Sequence, residues 1–417
     1  MKKIVLIIFI SVSLICSCHT YSIASERDEA YPALFEEICQ IVEENFYDAS
    51  LIQEQFPSIK AEYKEQIATA STPAEFSAMV NAMLGRLNSS HTYYLTPSDY
   101  EYYHLAAVFA FLPAIQELFD HQEISYPTVG IMTETIDNQV FIASVLPGGV
   151  AEQAGLLSGD EIIAVNGAPY QPIDLFKAHV GKPVEIVIKR SSDGVPQALT
   201  LTPKRINPKV EMLEAEQASI RVIETPEHRI GYIHIYSYAG QEYHDELIAA
   251  IAWGDLKDVD ALIIDLRYGL GGADPTYLNI FNPHVPVISW VDRRGNSGRY
   301  DPQWRKPAVF LVNKTTRSGK EILVFGAKQY QLATVIGERT AGAVVGATLF
   351  RLSNGNLLYL AVRSSLIDGV NLEGVGVMPD IEIPVDIRYC QGQDKQLERA
   401  VEYLLETLRS QETGVKS

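Results

Sequence analysis

Ser318 is the residue whose neighbours in the sequence most clearly predict chemistry. Ala308–Val312 is a short apolar run of β-formers, and Glu321–Gln331 carries apolar side chains at helical spacing, so Ser318 lies where a buried strand gives way to a helix. A hydroxyl at that place has unpaired backbone N–H groups and the positive end of a helix dipole beside it. Such groups stabilise the oxyanion of an acyl-transfer intermediate. This segment alone leaves a second interpretation open, in which Ser318 only caps the helix.

A nucleophilic serine needs a general base, and the histidines restrict the choice. None occurs after His284, so a histidine base must come from far upstream, and His91 at the end of a predicted N-terminal helix is the candidate. Glycine-containing loops follow predicted strands at 265–272 and 337–342, and a further glycine-rich stretch covers 368–380. Ligands of open α/β sheets bind at such carboxyl ends of strands. Taken by itself, a histidine such as His91 is more often a structural or surface residue than a catalytic base.

The periodicity of apolar residues changes along the chain and predicts a multidomain α+β protein. Helical spacing dominates first, short strands come next, and strands then alternate with helices, which indicates an α/β domain with a largely parallel sheet. We predict five segments: a signal peptide at 1–24, an N-terminal helical region at 25–126, a β-rich domain at 127–205, an α/β domain at 206–391, and a C-terminal helix and tail at 392–417.

The first residues are typical of a secretory signal. Met1–Lys3 is a short positive region, and Ile4–Ile15 is a mostly apolar core of about twelve residues, too short to span a bilayer. Cleavage after Ala24 fits the small residues there, whereas acylation of Cys18 as a lipoprotein is the alternative. The sequence therefore predicts export, to the periplasm, with a membrane-anchored lipoprotein or a secreted protein as alternatives.

Composition excludes several classes of function. The 417 residues are 47% hydrophobic and 21% charged, with a net charge of −18. Without the two leader lysines the balance is −20 (32 basic against 52 acidic), which disfavours nucleic-acid partners.

Histidines and cysteines show no metal-ligand spacing, and no phosphate-binding loop with a following lysine occurs, so we predict neither metal nor cofactor. Cys39 and Cys390 are left either to form a disulfide or to remain free thiols.

One segment of the β-rich region resembles a PDZ domain. The run SVLPGGVAEQAGLLSGDEIIAVNG, which begins at Ser144, carries the resemblance. It implies a groove beside Val129, Gly130, Ile131 and Met132 that takes a peptide C-terminus by strand addition and holds its carboxylate on backbone N–H groups.

Four segments downstream of the PDZ-like region together resemble the C-terminal processing (tail-specific) peptidases, over about residues 75–405. They are the two glycine loops, the Ser318 segment and the 368–380 stretch. The resemblance implies polypeptide substrates and makes Ser318, three residues before a glutamate, the nucleophile. It also implies an oxyanion hole formed by the N–H of Gly319 and by the loop with Gly271 and Gly272. The oligomeric state is left unknown.

The choice of base separates two branches of that family. The serine–lysine branch has lysine and glutamine where this chain has Ala343 and Ala347. The tricorn-core branch instead has the pattern matched here by Ser90, His91 and Glu373. The resemblance then makes His91 the base, with Glu373 orienting it through Ser90, and predicts an acid limb of the pH profile at about 6 to 7, the usual range of imidazole. A catalytically inactive binding or adaptor protein of the same fold is the alternative.

Overall fold

The computed structural model describes residues 23–414. Almost all of the predicted signal peptide, with Cys18, lies outside this range. None of the helices between residues 23 and 414 is both long and apolar enough to cross a membrane.

The N-terminal region is helical, as its periodicity predicts. Thr72 starts the fourth helix by accepting the N–H of Glu75 at 3.2 Å, and Pro73 occupies the first turn, where a missing N–H costs nothing. Phe35, Ile38 and other apolar side chains of this region form one core. The elements are α1 (Ile23–Asn45), α2 (Ala49–Glu54), α3 (Phe56–Ile67), α4 (Pro73–Gly85), β1 (Tyr93–Leu95), α5 (Tyr100–Val108) and α6 (Pro113–Leu118).

The next region is a five-stranded antiparallel sheet with two short helices and its own apolar core. Its strand order is β3-β4-β5-β6-β7, so β3 has a free edge. A separate two-stranded antiparallel ladder pairs the segment before this sheet with the segment after it. The elements are β2 (Tyr126–Thr128), β3 (Ile131–Ile136), β4 (Gln139–Val145), α7 (Val150–Gln153), β5 (Glu161–Val165), α8 (Asp174–Lys177), β6 (Val184–Lys189), β7 (Gln197–Leu201) and β8 (Lys204–Ile206).

A six-stranded sheet in the order β18-β15-β14-β11-β10-β9 forms the third region, and only its β9–β10 pair is antiparallel. The prediction of a largely parallel sheet is confirmed. The elements are α9 (Pro208–Ser219), β9 (Arg221–Glu224), β10 (Arg229–His234), α10 (Gln241–Ala252), β11 (Ala261–Asp265), a 3-10 helix (Pro275–Phe281), β12 (Ile288–Val291), β13 (Ser297–Tyr300), β14 (Ala308–Val312), α11 (Gly319–Gln329), β15 (Thr334–Gly337), β16 (Gly346–Arg351), β17 (Leu357–Arg363), β18 (Ile381–Glu382) and α12 (Lys395–Glu412).

One strand within the predicted α/β domain at 206–391 does not join its parallel sheet. β17 pairs antiparallel with β16 on one side and with β1, from the N-terminal region, on the other. Leu358 and Leu360 are buried among the N-terminal helices rather than in the parallel sheet. An apolar run predicts a buried strand but carries no information about its partner, so only the fold shows that this strand joins the first and third regions.

Cys39 and Cys390, whose pairing the sequence could not decide, are both free thiols and have different neighbours. Cys39 is buried beside Met83, with 4.0 Å between the sulfur atoms. Cys390 instead contacts the carbonyl of Ser158 at 3.2 Å. The free-thiol interpretation therefore holds for both.

Candidate active site

Ser318 lies between β14 and α11 in a backbone conformation that non-glycine residues rarely adopt, with φ +57° and ψ −133°. Its N–H is held by the carbonyl of Ala343 at 2.8 Å and by the carboxylate of Glu321 at 3.2 Å. Strained backbone of this kind persists only where surrounding contacts impose it, and it is common at functional sites. The turn leaves the side chain of Ser318 half-exposed at the wall of a cavity.

Glu321 supplies the contacts that impose this turn. Its buried carboxylate accepts hydrogen bonds from the hydroxyl of Thr340 at 2.5 Å and from the N–H groups of Gly342 and Ala343 at 2.7 Å each. The side chain therefore fixes the start of α11 to the loop after β15. In the sequence analysis, Glu321 only marked the position of Ser318. A carboxylate at the start of a predicted helix was the feature that could have indicated a structural role.

The predicted oxyanion-hole residues lie against Ser318. A Cβ atom on Gly271 would stand 2.4 Å from Ser318 Cβ, and one on Gly319 would stand 2.3 Å from the backbone N of Ala273, so both positions require glycine. Gly272 has a φ of +93°, which also favours glycine. Within residues 23–414, the N–H groups of Gly271, Gly272 and Gly319 donate no hydrogen bond. They are therefore available to an oxyanion.

Ser90 and Glu373, 283 residues apart in sequence, are directly hydrogen-bonded. The carboxylate of Glu373 accepts the N–H of Ser90 at 2.7 Å and its hydroxyl at 3.0 Å. It also accepts the N–H groups of Val344 and Val345, at 2.9 and 3.3 Å. Glu373 therefore joins the segment that carries His91 to the loop that holds Ser318.

His91 and Ser318 line the same cavity, and no hydrogen bond joins them. His91 is 7% exposed, and its ring stacks on Tyr359 of β17 with 5.2 Å between centroids. The cavity has a volume of about 240 Å³, and Gly271 also lines it. Burial, assisted by the positive charge of Arg317, lowers the pKa of His91 to about 4. The expected acid limb at 6 to 7 is therefore revised, because the imidazole is not in a solvent-like environment.

The sequence does not predict a partly buried ion pair that lines the same cavity as His91. Arg317, the residue before Ser318, donates to the carboxylate of Glu101 on α5 at 2.5 Å. Both line a second cavity of about 740 Å³, and Arg317 also lines the smaller cavity. An arginine adjacent to the predicted nucleophile was the available signal, but its partner lies 216 residues away in sequence.

The residues predicted to bind peptide divide into two pairs. Ile131 and Met132 of β3 line the larger cavity together with His91 and Arg317. Val129 is buried, and the N–H of Gly130 is already donated to the hydroxyl of Thr128 at 2.9 Å, so this amide is unavailable to a carboxylate. The edge strand β3 and His91 thus line one cavity, and Ser318 lines the smaller cavity that His91 and Arg317 also line.

Three segments of the chain match families of known proteins. Residues 229–383 match peptidase family S41, residues 27–85 match the tricorn protease C1 domain, and residues 141–190 match a PDZ domain.

Two curated relatives show the extent of this similarity. A carboxyl-terminal-processing protease of Synechocystis is 28% identical over 64% of this chain and 66% of its own length. Tricorn protease homolog 1 of Streptomyces coelicolor is 25% identical over 92% of this chain and 36% of its own length. This chain thus spans less than two thirds of either relative.

The crystal structure of the tricorn protease has the same fold over 92% of this chain and 37% of its own, with a TM-score of 0.54 and 19% identity. The predicted PDZ domain and the predicted family are confirmed. Residues 229–383 of the chain therefore match a peptidase family S41 domain, with a segment matching the tricorn protease C1 domain and a PDZ domain before it.

Proposed function

We propose that this protein is a serine endopeptidase in which Ser318 is the nucleophile and His91 the general base. The observation that supports this most strongly is the pair of hydrogen bonds from Ser90 to Glu373. They join two distant segments so that His91 and Ser318 line the same small cavity, with Gly271 in contact with the serine side chain.

The proposed reaction follows from these positions. Ser318 Oγ attacks the scissile carbonyl, and His91, neutral at pH 7 because of its low pKa, accepts the proton and returns it to the leaving amine. The N–H groups of Gly319 and Gly271 stabilise the oxyanion. Water then hydrolyses the acyl-enzyme by the same route. In this proposal the hydrogen bond from Ser318 to His91 forms when substrate closes the site, as catalytic contacts often do.

Ser90 and Glu373 have a positioning role in this scheme. Glu373 accepts four hydrogen bonds, so its charge is fixed in place near the His91 ring. This negative charge favours the imidazolium that forms during the reaction.

The proposed substrates are polypeptides in the compartment to which this protein is exported. They bind through their C-terminal tails at the edge of β3. Support comes from the free edge of that strand and from the shared cavity that Ile131 and Met132 line with His91. An extended peptide added to β3 would therefore continue toward Ser318.

A fluorophosphonate probe and a peptide-cleavage assay test this proposal together. Wild-type protein and Ser410→Ala, a matched change on the exposed face of α12, should both label and cleave. Ser318→Ala should lose labelling and lower turnover by about a million-fold, as removal of the nucleophile does in other serine peptidases.

Melting temperature provides the control, since loss of a helix-cap residue costs only about 1 kcal/mol. Equal turnover in wild type and Ser318→Ala would overturn the proposal. A wild-type protein that binds tail peptides but neither labels nor cleaves would instead establish the inactive binding or adaptor protein.

A further inference from the structure

Lys320 is a fully buried amine that the proposed mechanism does not use. It lies two residues after Ser318 in the first turn of α11 and has 0% exposure. Its Nζ donates to the carbonyl of Tyr268 at 2.8 Å and to that of Tyr236 at 3.1 Å, and it forms no salt bridge with a carboxylate of residues 23–414. Burying an amine is unfavourable unless its N–H groups are satisfied, so these two carbonyls determine where Nζ lies.

The carbonyl of Tyr268 belongs to the loop that supplies the second half of the oxyanion hole. Tyr268 has a φ of +57°, which is unfavourable for an aromatic residue. Its N–H donates to the hydroxyl of Thr315 at 2.9 Å, and its carbonyl accepts from Lys320. The strained residue is therefore held at both ends by the segment around Ser318.

The same contacts extend to Gly271. The carbonyl of Tyr236 accepts from Lys320 and also from the N–H of Leu270, at 2.8 Å, and the carbonyl of Gly271 accepts from Tyr238 N–H at 3.0 Å. The loop is thus fixed one residue before Gly271 and again at its carbonyl, with its N–H left free. Lys320 connects this loop to the helix turn that carries Ser318.

We propose that Lys320 is a positioning residue of the oxyanion hole, holding the loop of residues 268–272 so that Gly271 N–H and Gly319 N–H converge on one oxygen. The inference rests on the proposed peptidase function and adds a residue to it. Lys320 does not contact substrate and acts through the Tyr268 carbonyl.

The charged surroundings of Lys320 are compatible with this role. Burial lowers the pKa of Lys320 to about 7, and the negative charges of Asp265 and Glu216 oppose this shift. A neutral amine still has two N–H groups, enough for both carbonyls. The two hydrogen bonds therefore persist in either protonation state.

Lys320→Met tests the proposal because methionine keeps the length of the side chain and removes its donors. Lys328→Met on the same helix is the matched control, since its Nζ donates to the exposed Met378 carbonyl and lies at the other end of α11. We expect Lys320→Met to lower kcat about ten- to a hundredfold with KM within about twofold. Complete loss of one oxyanion donor costs about a hundred- to a thousandfold.

Binding of a peptide boronate distinguishes positioning from general loss of structure. The boronate forms a tetrahedral adduct on Ser318 whose oxygen occupies the oxyanion hole, whereas a product peptide does not use it. Lys320→Met should weaken boronate binding in proportion to kcat/KM and leave product binding unchanged. Equal weakening of both, or a kcat within about threefold of Lys328→Met, would overturn the proposal.

Hydrogen exchange separates this inference from the peptidase proposal. The hydrogen-bonded amides of this loop, those of Tyr268 and Leu270, should exchange faster in Lys320→Met than in Lys328→Met, whether or not wild-type protein cleaves peptides. Unchanged exchange there overturns the positioning role. If Lys320→Met fails to fold, Thr315→Val removes the other anchor of Tyr268 and must show the same loss of kcat and faster exchange, or the proposal fails.

Discussion

The acid limb of the pH profile is the most direct test of His91 as a buried base. Its pKa of about 4, compared with about 6.5 in water, means that protonation in place costs about 3 kcal/mol more than in solvent, at about 1.4 kcal/mol per pH unit. The neutral form is the active base, so activity is lost only as the pH falls through the folded pKa. At pH 5.5 about 97% of His91 would be neutral, whereas about 9% would be neutral for an imidazole with the ordinary pKa.

The measurement is kcat/KM for one peptide from pH 3.5 to 8.5, with circular dichroism at each pH to confirm folding. His284→Gln, at an exposed position, should leave the limb unchanged. A limb at 6 to 7 in wild-type protein would refute the argument that burial controls His91. A limb near 4 that persists in His91→Gln would remove His91 from the mechanism.

The ion pair beside His91 provides a second, independent way to move this limb. Arg317 lowers the pKa of His91 more than Glu101 raises it. The double change Arg317→Met with Glu101→Gln removes both charges without leaving either buried alone, which would be costly. We expect the acid limb to move to higher pH, while an unchanged limb would exclude this electrostatic coupling.

Three further outcomes are expected. Ser90→Ala should lower kcat about tenfold, because a hydrogen bond to a charged group contributes about 1.5–3 kcal/mol, whereas Ser89→Ala should leave kcat near wild type. Equal rates would exclude a positioning role for the Ser90 hydroxyl. Buried His104 has a pKa lowered to about 3 by burial, so the folded state loses about 2 kcal/mol between pH 7.5 and pH 5 as the unfolded chain takes up the proton. His104→Phe should remove this loss in urea unfolding at the two pH values, and an identical pH dependence would contradict it. Amidating the C-terminus of a peptide substrate should raise KM and leave kcat unchanged if the PDZ domain holds the carboxylate, and equal KM values would exclude that contact.

Much of this protein follows from the sequence because local patterns determine it. The apolar run at 308–312 is β14, and the helical spacing near the C-terminus is α12, which extends to Glu412. Turn and motif residues also placed Ser318, Gly271 and Gly319 correctly relative to strand and helix ends. Strand-to-helix turns are encoded within a few residues, so neighbouring residues suffice to predict them.

The tertiary structure alone decides the contacts between segments distant in sequence. The burial that lowers the pKa of His91, the partner of Arg317 and the pairing of β17 with β1 all depend on residues far away along the chain. The sequence placed Lys320 just before the predicted helical segment Glu321–Gln331, without indicating that its amine donates to the carbonyl of Tyr268. Side-chain type and spacing determine which elements form, but pKa values and hydrogen-bond partners are set by what the fold packs around each group.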